Sequence, residues 1–275
     1  MTDFLTTGAT RRIAYHLTSG SGPCVVFLGG YKSDMTGTKA VHLETWARAQ
    51  GRAFLRLDYS GHGASSGEFA DGCIGDWVAD AQAVIEAVTE GPLVLVGSSM
   101  GGWIALILAQ RLARVKSQAH VKSLAHVKGQ AHVKGLAHVK SLARVTGLVG
   151  IAAAPDFTED SFWAGFDAVQ RAQLMETGVV PVPSEYGDDY IVTRRLIEDG
   201  RDHLVLRDPL QLPFPVRLLQ GTQDSAVTRE TALRLLDHIE GEAALTLLKG
   251  ADHAFSAPEC LSLIERAIED VTRAP

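Results

Sequence analysis

The chain has 275 residues, 46% of them apolar, and a formal charge of −6. That length supports one sizeable core but is short for two full domains, so one catalytic domain carrying insertions is expected over 1–275. The acidic balance excludes a general nucleic-acid or anionic-membrane binder, which would need a net basic face, and points to a small-molecule partner.

Three cysteines, Cys24, Cys73 and Cys260, are scattered with no Cys-x-x-Cys spacing, so neither a disulfide framework nor a thiolate metal site is suggested and a reducing compartment fits. Residues 1–19 hold no long apolar run, and no stretch is long enough to span a bilayer. A cytoplasmic protein is the resulting expectation.

In chain order, β-rich apolar runs at 13–17, 24–28, 53–58, 93–97, 148–152, 216–221 and 244–248 read as strands. Helical periodicity with polar faces falls at 38–50, 76–88, 102–112, 229–239 and 258–272. Alternation of this kind predicts an α/β fold with a mostly parallel central sheet covered by helices on both faces. Ligands of such sheets bind at the carboxyl ends of the strands, where the chain here turns through loops rich in Gly, Ser and Asp.

The segment 113–148 breaks the pattern with six near-copies of a six-residue unit, ARVKSQ, AHVKSL, AHVKGQ, AHVKGL, AHVKSL and ARVTGL. Removing 115–144 would rejoin an ordinary helix-to-strand connection, so the repeat reads as an insertion into a finished fold. Its histidines, His120, His126, His132 and His138, lack the i,i+4 spacing of helical ligand pairs, and no metal site is assigned. Its lysines leave an acidic partner conceivable, but a solvated charged face is the simpler reading.

LVLVGSSMGGW at 93–103 is the sharpest signal: an apolar strand, then Gly97-Ser98-Ser99-Met100-Gly101, then a helical run. A strand-to-helix turn this tight leaves no room for side chains two before and two after its central residue, which makes Ser99 the candidate nucleophile and Met100 N–H a candidate oxyanion donor. Ser98 is one residue out of frame and is expected to help hold the turn.

A serine hydroxyl needs a base to take its proton and an acid to orient that base. Behind such an elbow the acid comes first and the histidine second. Outside the repeat, the downstream histidines are His203, His238 and His253. His203 falls between elements and His238 within an amphipathic helix, whereas His253 follows the apolar strand ALTLL and is the candidate base. Asp224, beyond Gly221 in the turn after the preceding strand, is the candidate acid, and Asp252 should point elsewhere. The second oxyanion donor is assigned to Tyr31 N–H in Gly29-Gly30-Tyr31. His62, one strand too early, reads as structural.

With GYKSDMTGTKA, DYSGHGASSG and VPSEY, these motifs resemble the α/β-hydrolase superfamily, and within it the branch of mitochondrial palmitoyl-protein thioesterases that also hydrolyse acyl glucuronides. The likeness covers nearly the whole chain except the repeat. It implies an α/β-hydrolase fold, a Ser99-Asp224-His253 triad and cofactor-free hydrolysis of esters or acyl thioesters, with acylated protein a possible substrate. Gln220 stands where a His is frequent, and Gly29 where a His or Pro is usual.

Residues 155–210, with Phe162, Trp163, Phe166, Tyr186 and Tyr190, lie where this fold carries its lid, and they are expected either to line an acyl pocket or merely to hold the lid down. Other chemistry on the same triad (C–C bond hydrolysis, peptide hydrolysis or acyl transfer) remains open, as does a non-catalytic binding protein that presents the repeat.

Overall fold

The computed structural model describes residues 2–7, 11–111, 145–184 and 189–273. Eight strands form one sheet in the order β1-β2-β4-β3-β5-β6-β10-β12. They are β1 (Asp3–Thr7), β2 (Arg11–Thr18), β3 (Ser21–Leu28), β4 (Arg52–Leu57), β5 (Leu93–Ser98), β6 (Val145–Ile151), β10 (Val216–Gly221) and β12 (Ala243–Leu248). β1 and β2 run antiparallel at one edge, and every pairing from β4 through β12 is parallel. Parallel neighbours need crossovers, and here helices supply them.

Strand alternation explains why both faces are covered. In β3, Cys24, Val26 and Leu28 point into one core cluster while Val25 and Phe27 point into the other. β5 repeats the division, with Leu93 and Leu95 on one side and Val94 and Val96 on the other. The first cluster takes α2 (Ile74–Val88) and α3 (described over 100–111), whose Trp77 and Trp103 are fully buried. The second takes α1 (Thr38–Ala49) and α7 (Pro258–Arg273). Burying Ile264, Ile268 and Val271 of α7 contributes about 1.5–3 kcal/mol each.

Between β6 and β10 the chain leaves the sheet. A single six-residue π-helical stretch, Thr158–Trp163, precedes α4 (Ala168–Thr177). α4 opens on a capping box of Asp167 and Gln170, in which each side chain bonds the other's backbone N–H, and it closes on Gly178 in the left-handed conformation. The strands β7 (Val179–Val182) and β8 (Tyr190–Thr193) pair antiparallel, and α5 (Arg194–Arg201) follows. Short strands β9 (Leu210–Gln211) and β11 (Ile239–Glu240) pair beyond it, with α6 (Arg229–His238) between β10 and β11.

The expected sheet and its covering helices are present, each within a few residues of the sequence reading. Of the repeat segment 113–148, residues up to 144 lie outside the described residues, and its last four open β6.

Candidate active site

β5 ends at Ser98 and α3 begins at residue 100, so Ser99 alone makes the turn. It does so at φ 54°, in the left-handed region that a non-glycine residue enters only when its surroundings hold it there. Ser99 N–H donates to the Ile151 carbonyl at 2.9 Å, and the Ser99 carbonyl accepts from Gly102 N–H at 2.9 Å and Ala154 N–H at 3.0 Å. Clearance explains the flanking glycines. A Cβ on Gly97 would lie 2.2 Å from the Gly101 carbonyl oxygen, and one on Gly101 would lie 2.0 Å from that of Leu28. No side chain fits either position, and Ser99 is left at the carboxyl edge of the sheet.

Two neighbouring strands deliver its partners. Asp224 stands in the turn after β10 and His253 in the loop after β12. His253 Nδ1 lies 2.9 Å from Asp224 Oδ2, and His253 Nε2 lies 3.0 Å from Ser99 Oγ. An ionised carboxylate only accepts, so the ring proton belongs on Nδ1 and Nε2 faces the serine with its lone pair.

Four donors meet Asp224. Oδ1 accepts from the N–H groups of Ala226 at 2.9 Å and Val227 at 2.8 Å, while Oδ2 accepts from His253 and from Gln220 Nε2 at 2.9 Å. Burial alone would raise the pKa of this carboxyl, but the bonds from His253, Val227 and Gln220 outweigh it and hold the group below the usual carboxylate range. Asp224 is therefore held as an anion, which fixes the tautomer of His253.

The loop after β3 runs directly against the elbow, since a Cβ on Gly30 would sit 3.4 Å from that of Ser99. Tyr31, Met100, Ser99 and His253 line one cavity of about 890 Å³. Met100 is the first residue of α3, where unpaired N–H groups and the helix dipole favour negative charge. Phe157, Phe162 and Tyr190 form an aromatic wall of the same cavity. Trp163 instead packs on Phe166, with Arg171 and Arg201 over its ring, so the aromatic residues of this segment divide between wall and scaffold. Tyr186 lies outside the described residues.

The remaining histidines and acids go elsewhere. His203 Nδ1 faces the Asp199 carbonyl at 2.8 Å and His238 Nδ1 the Arg234 carbonyl at 2.8 Å, while Asp252 accepts from Phe255 N–H at 3.1 Å. His62 is buried against Tyr59, Phe69 and Trp77, with Nδ1 bonded to the Ser60 carbonyl at 3.2 Å. Burial lowers its pKa to about 4, so it stays neutral and structural. Among the described residues, no group of three or more His, Cys, Asp or Glu side chains could hold a metal ion.

The model of the alpha/beta hydrolase family matches residues 25–269. The chain belongs to the alpha/beta hydrolase family. Within it, the chain is similar to the mitochondrial palmitoyl-protein thioesterase ABHD10 of Bos taurus, with 30% identity over 271 residues that make up 98% of this chain and 79% of that protein. Among solved structures it is similar to a putative hydrolase from Agrobacterium vitis S4, with a TM-score of 0.86 and 36% identity over 99% of this chain and 98% of the other. Mouse ABHD10 aligns with a TM-score of 0.81 and 29% identity over 98% and 97% of the two chains.

These relatives correct one expectation. The cytoplasmic reading rested on the lack of an apolar N-terminal run, but the curated relatives are mitochondrial. A mitochondrial transit peptide is amphipathic and arginine-rich rather than apolar, so the lack of such a run does not favour the cytoplasm. Among the described residues, no helix is long and apolar enough to cross a membrane.

As a member of this family the chain also holds contacts at the site that sequence reasoning passed over. Gln220 was legible only as a departure from a frequent His; its amide donates to Asp224 and to the Val227 carbonyl, both at 2.9 Å. Lys39, on α1, lines the cavity and donates to the Ala254 carbonyl beside His253. Burial lowers its pKa against the opposing influence of Asp252 and Cys260. A side chain four residues before the acid, on the same strand end, was the signal for Gln220. Lys39 had none, because it reaches the site from a different layer.

Proposed function

We propose that this protein hydrolyses carboxylic esters or acyl thioesters with an apolar acyl group, through an acyl-enzyme on Ser99. The relay from Ser99 Oγ through both nitrogens of His253 to Asp224, with legs of 3.0 and 2.9 Å, is the observation that carries this reading. Similarity to palmitoyl-protein thioesterases supports the acyl thioester class.

In this reading His253 Nε2 takes the Ser99 proton as Oγ attacks the acyl carbonyl, and Asp224 stabilises the imidazolium that forms. The carbonyl oxygen becomes an oxyanion held by the N–H groups of Tyr31 and Met100. As the intermediate collapses, His253 returns the proton to the leaving alkoxide or thiolate. Water then enters, gives its proton to His253 and attacks the acyl carbon, which frees the acid and restores Ser99. The aromatic wall receives the acyl group, and activity is expected to rise with acyl length until the cavity is filled, by about 0.8 kcal/mol per buried methylene.

The test compares Ser99→Ala with Ser98→Ala on p-nitrophenyl esters, matched thioesters and matched anilides, with fluorophosphonate labelling alongside. Ser99→Ala should lose several orders of magnitude in kcat together with its labelling, while Ser98→Ala keeps most of both. Full labelling of the Ser99→Ala protein would exclude the nucleophile. Anilide cleavage as fast as that of the esters would turn the reading toward a peptidase.

A further inference from the structure

Ester hydrolysis asks of Tyr31 only a backbone N–H, yet its side chain meets five other rings. Phe69 lies 4.8 Å away between centroids, Tyr190 5.3 Å, Phe157 5.6 Å, Trp77 5.9 Å and Phe162 6.0 Å, all edge to face. These rings come from two separate stretches of the chain. Phe69, in the turn before α2, stacks on Trp77 in the first turn of α2, and the other three belong to the segment between β6 and β10.

The next residue is tied down as well. Lys32 adopts φ 61°, a left-handed conformation that costs a non-glycine residue free energy unless it is held. Its Nζ donates to the Asp189 carbonyl at 3.4 Å and lies 5.6 Å from the centre of the Tyr190 ring. Before Tyr31, the Gly29 carbonyl accepts from Tyr59 Oη at 3.2 Å.

We propose that the Tyr31 ring is a positioning group for its own backbone N–H, and that the segment 155–210 thereby sets the rate of the chemical step as well as the choice of acyl group. This rests on the reading of Tyr31 N–H as an oxyanion donor. An oxyanion donor works only within a few tenths of an ångström of its place, so a glycine-rich loop carrying one needs an outside anchor. Five rings meeting one ring edge to face supply it, since each such pair has a preferred geometry and resists sliding.

A ring that only lined the acyl site and a ring that positions the N–H predict different losses. The substrates are p-nitrophenyl acetate, which has a single methyl to set against the wall, and p-nitrophenyl octanoate. Removing an oxyanion donor costs about 100- to 1,000-fold, and misplacing one should cost part of that. Tyr31→Ala is therefore expected to lower kcat on the acetate by about 10- to 100-fold with KM within about threefold of the parent, and to slow fluorophosphonate labelling in parallel. Tyr31→Phe, which keeps the ring, should recover most of the loss.

Tyr190→Ala alters the anchor from outside the loop and should move acetate kcat in the same direction by a smaller factor. It decides the matter alone if Tyr31→Ala does not fold. Parent kcat on acetate in both alanine variants, with a raised KM for octanoate only, would overturn the proposal. If Ser99→Ala is inactive while Tyr31→Ala turns over acetate like the parent, this inference alone fails. If Ser99→Ala stays active, the underlying reading fails first.

Discussion

The carboxyl edge of the sheet and the segment laid over it are built by different means. At the edge, backbone meets backbone: the elbow and the loop after β3 approach so closely that Gly97 and Gly101 each leave no room for a methyl, and the loop after β12 does the same at Gly221. In the segment 155–210, side chains do the holding. Buried Asp156 accepts from Val205 and Leu206 N–H at 2.7 and 2.9 Å, Asp160 pairs with Arg207 and Arg234, and the aromatic rings interlock. Backbone clearance is all or nothing, while side-chain networks tolerate exchange. A fold that hosts many activities can therefore leave the edge alone and rework the cover.

Adding one methyl at the edge is the harshest test of that contrast. Gly101→Ala puts a Cβ 2.0 Å from the Leu28 carbonyl oxygen, which only a shift of two elements can relieve. Overpacking of this kind costs about 3 kcal/mol or more, so denaturant titration should show a large drop in midpoint or no folded protein at all. A variant with parent stability and activity would mean that the edge is softer than its geometry.

His62 tests the join between the two regions, because it packs on Phe69 and Trp77, two of the rings around Tyr31. Burial lowers its pKa to about 4 from an unfolded value near 6.5. Between those values the unfolded chain binds the extra proton, so stability rises with pH across the window and is lost as pH falls from about 6.5 to about 4, by about 3 kcal/mol in all. Nε2, the nitrogen that would take that proton, meets no partner among the described residues. His62→Phe should flatten this acid limb in chemical denaturation at a series of pH values. An unchanged slope would show that other groups carry it.

The smallest effect belongs to the cover. Arg234 pairs with Asp160 at 2.7 Å, but their side chains are 42% and 31% exposed. Arg234→Ala should cost about 1 kcal/mol or less in thermal or chemical melts, since solvent screens such pairs. A loss as large as that of Gly101→Ala would erase the distinction between edge and cover.

Legibility in the sequence follows the same division. The central parallel strands β3, β5, β6 and β10 read clearly because both of their faces are buried, and the elbow because steric exclusion wrote glycine at fixed offsets from Ser99. β1, DFLTT, escaped notice because it is an edge strand with little buried surface on either face, so no apolar pattern marks it. β7 escaped because Pro181 argues against a strand, yet its one partner, β8, leaves that position without a required donor. The π-helical stretch has no signature in a 3.6-residue period. In the site, Ser99, Asp224 and His253 were legible from chain order, whereas the tie from Gln220 to Asp224 depends on a side-chain direction that a sequence does not give.

The relay between Ser99 and His253 joins positions 154 residues apart, with α3, β6, β10 and β12 all formed between them. Contacts of such long range are the last that a folding chain can secure, because the closure entropy of the whole intervening loop must be met first. If Ser99 is the nucleophile proposed above, it is dormant in every incomplete fold. On the proposed reading, a chain emerging from the ribosome, or one unravelled from its C-terminal end, carries Ser99 without His253, and turnover is expected only once the last strand has docked.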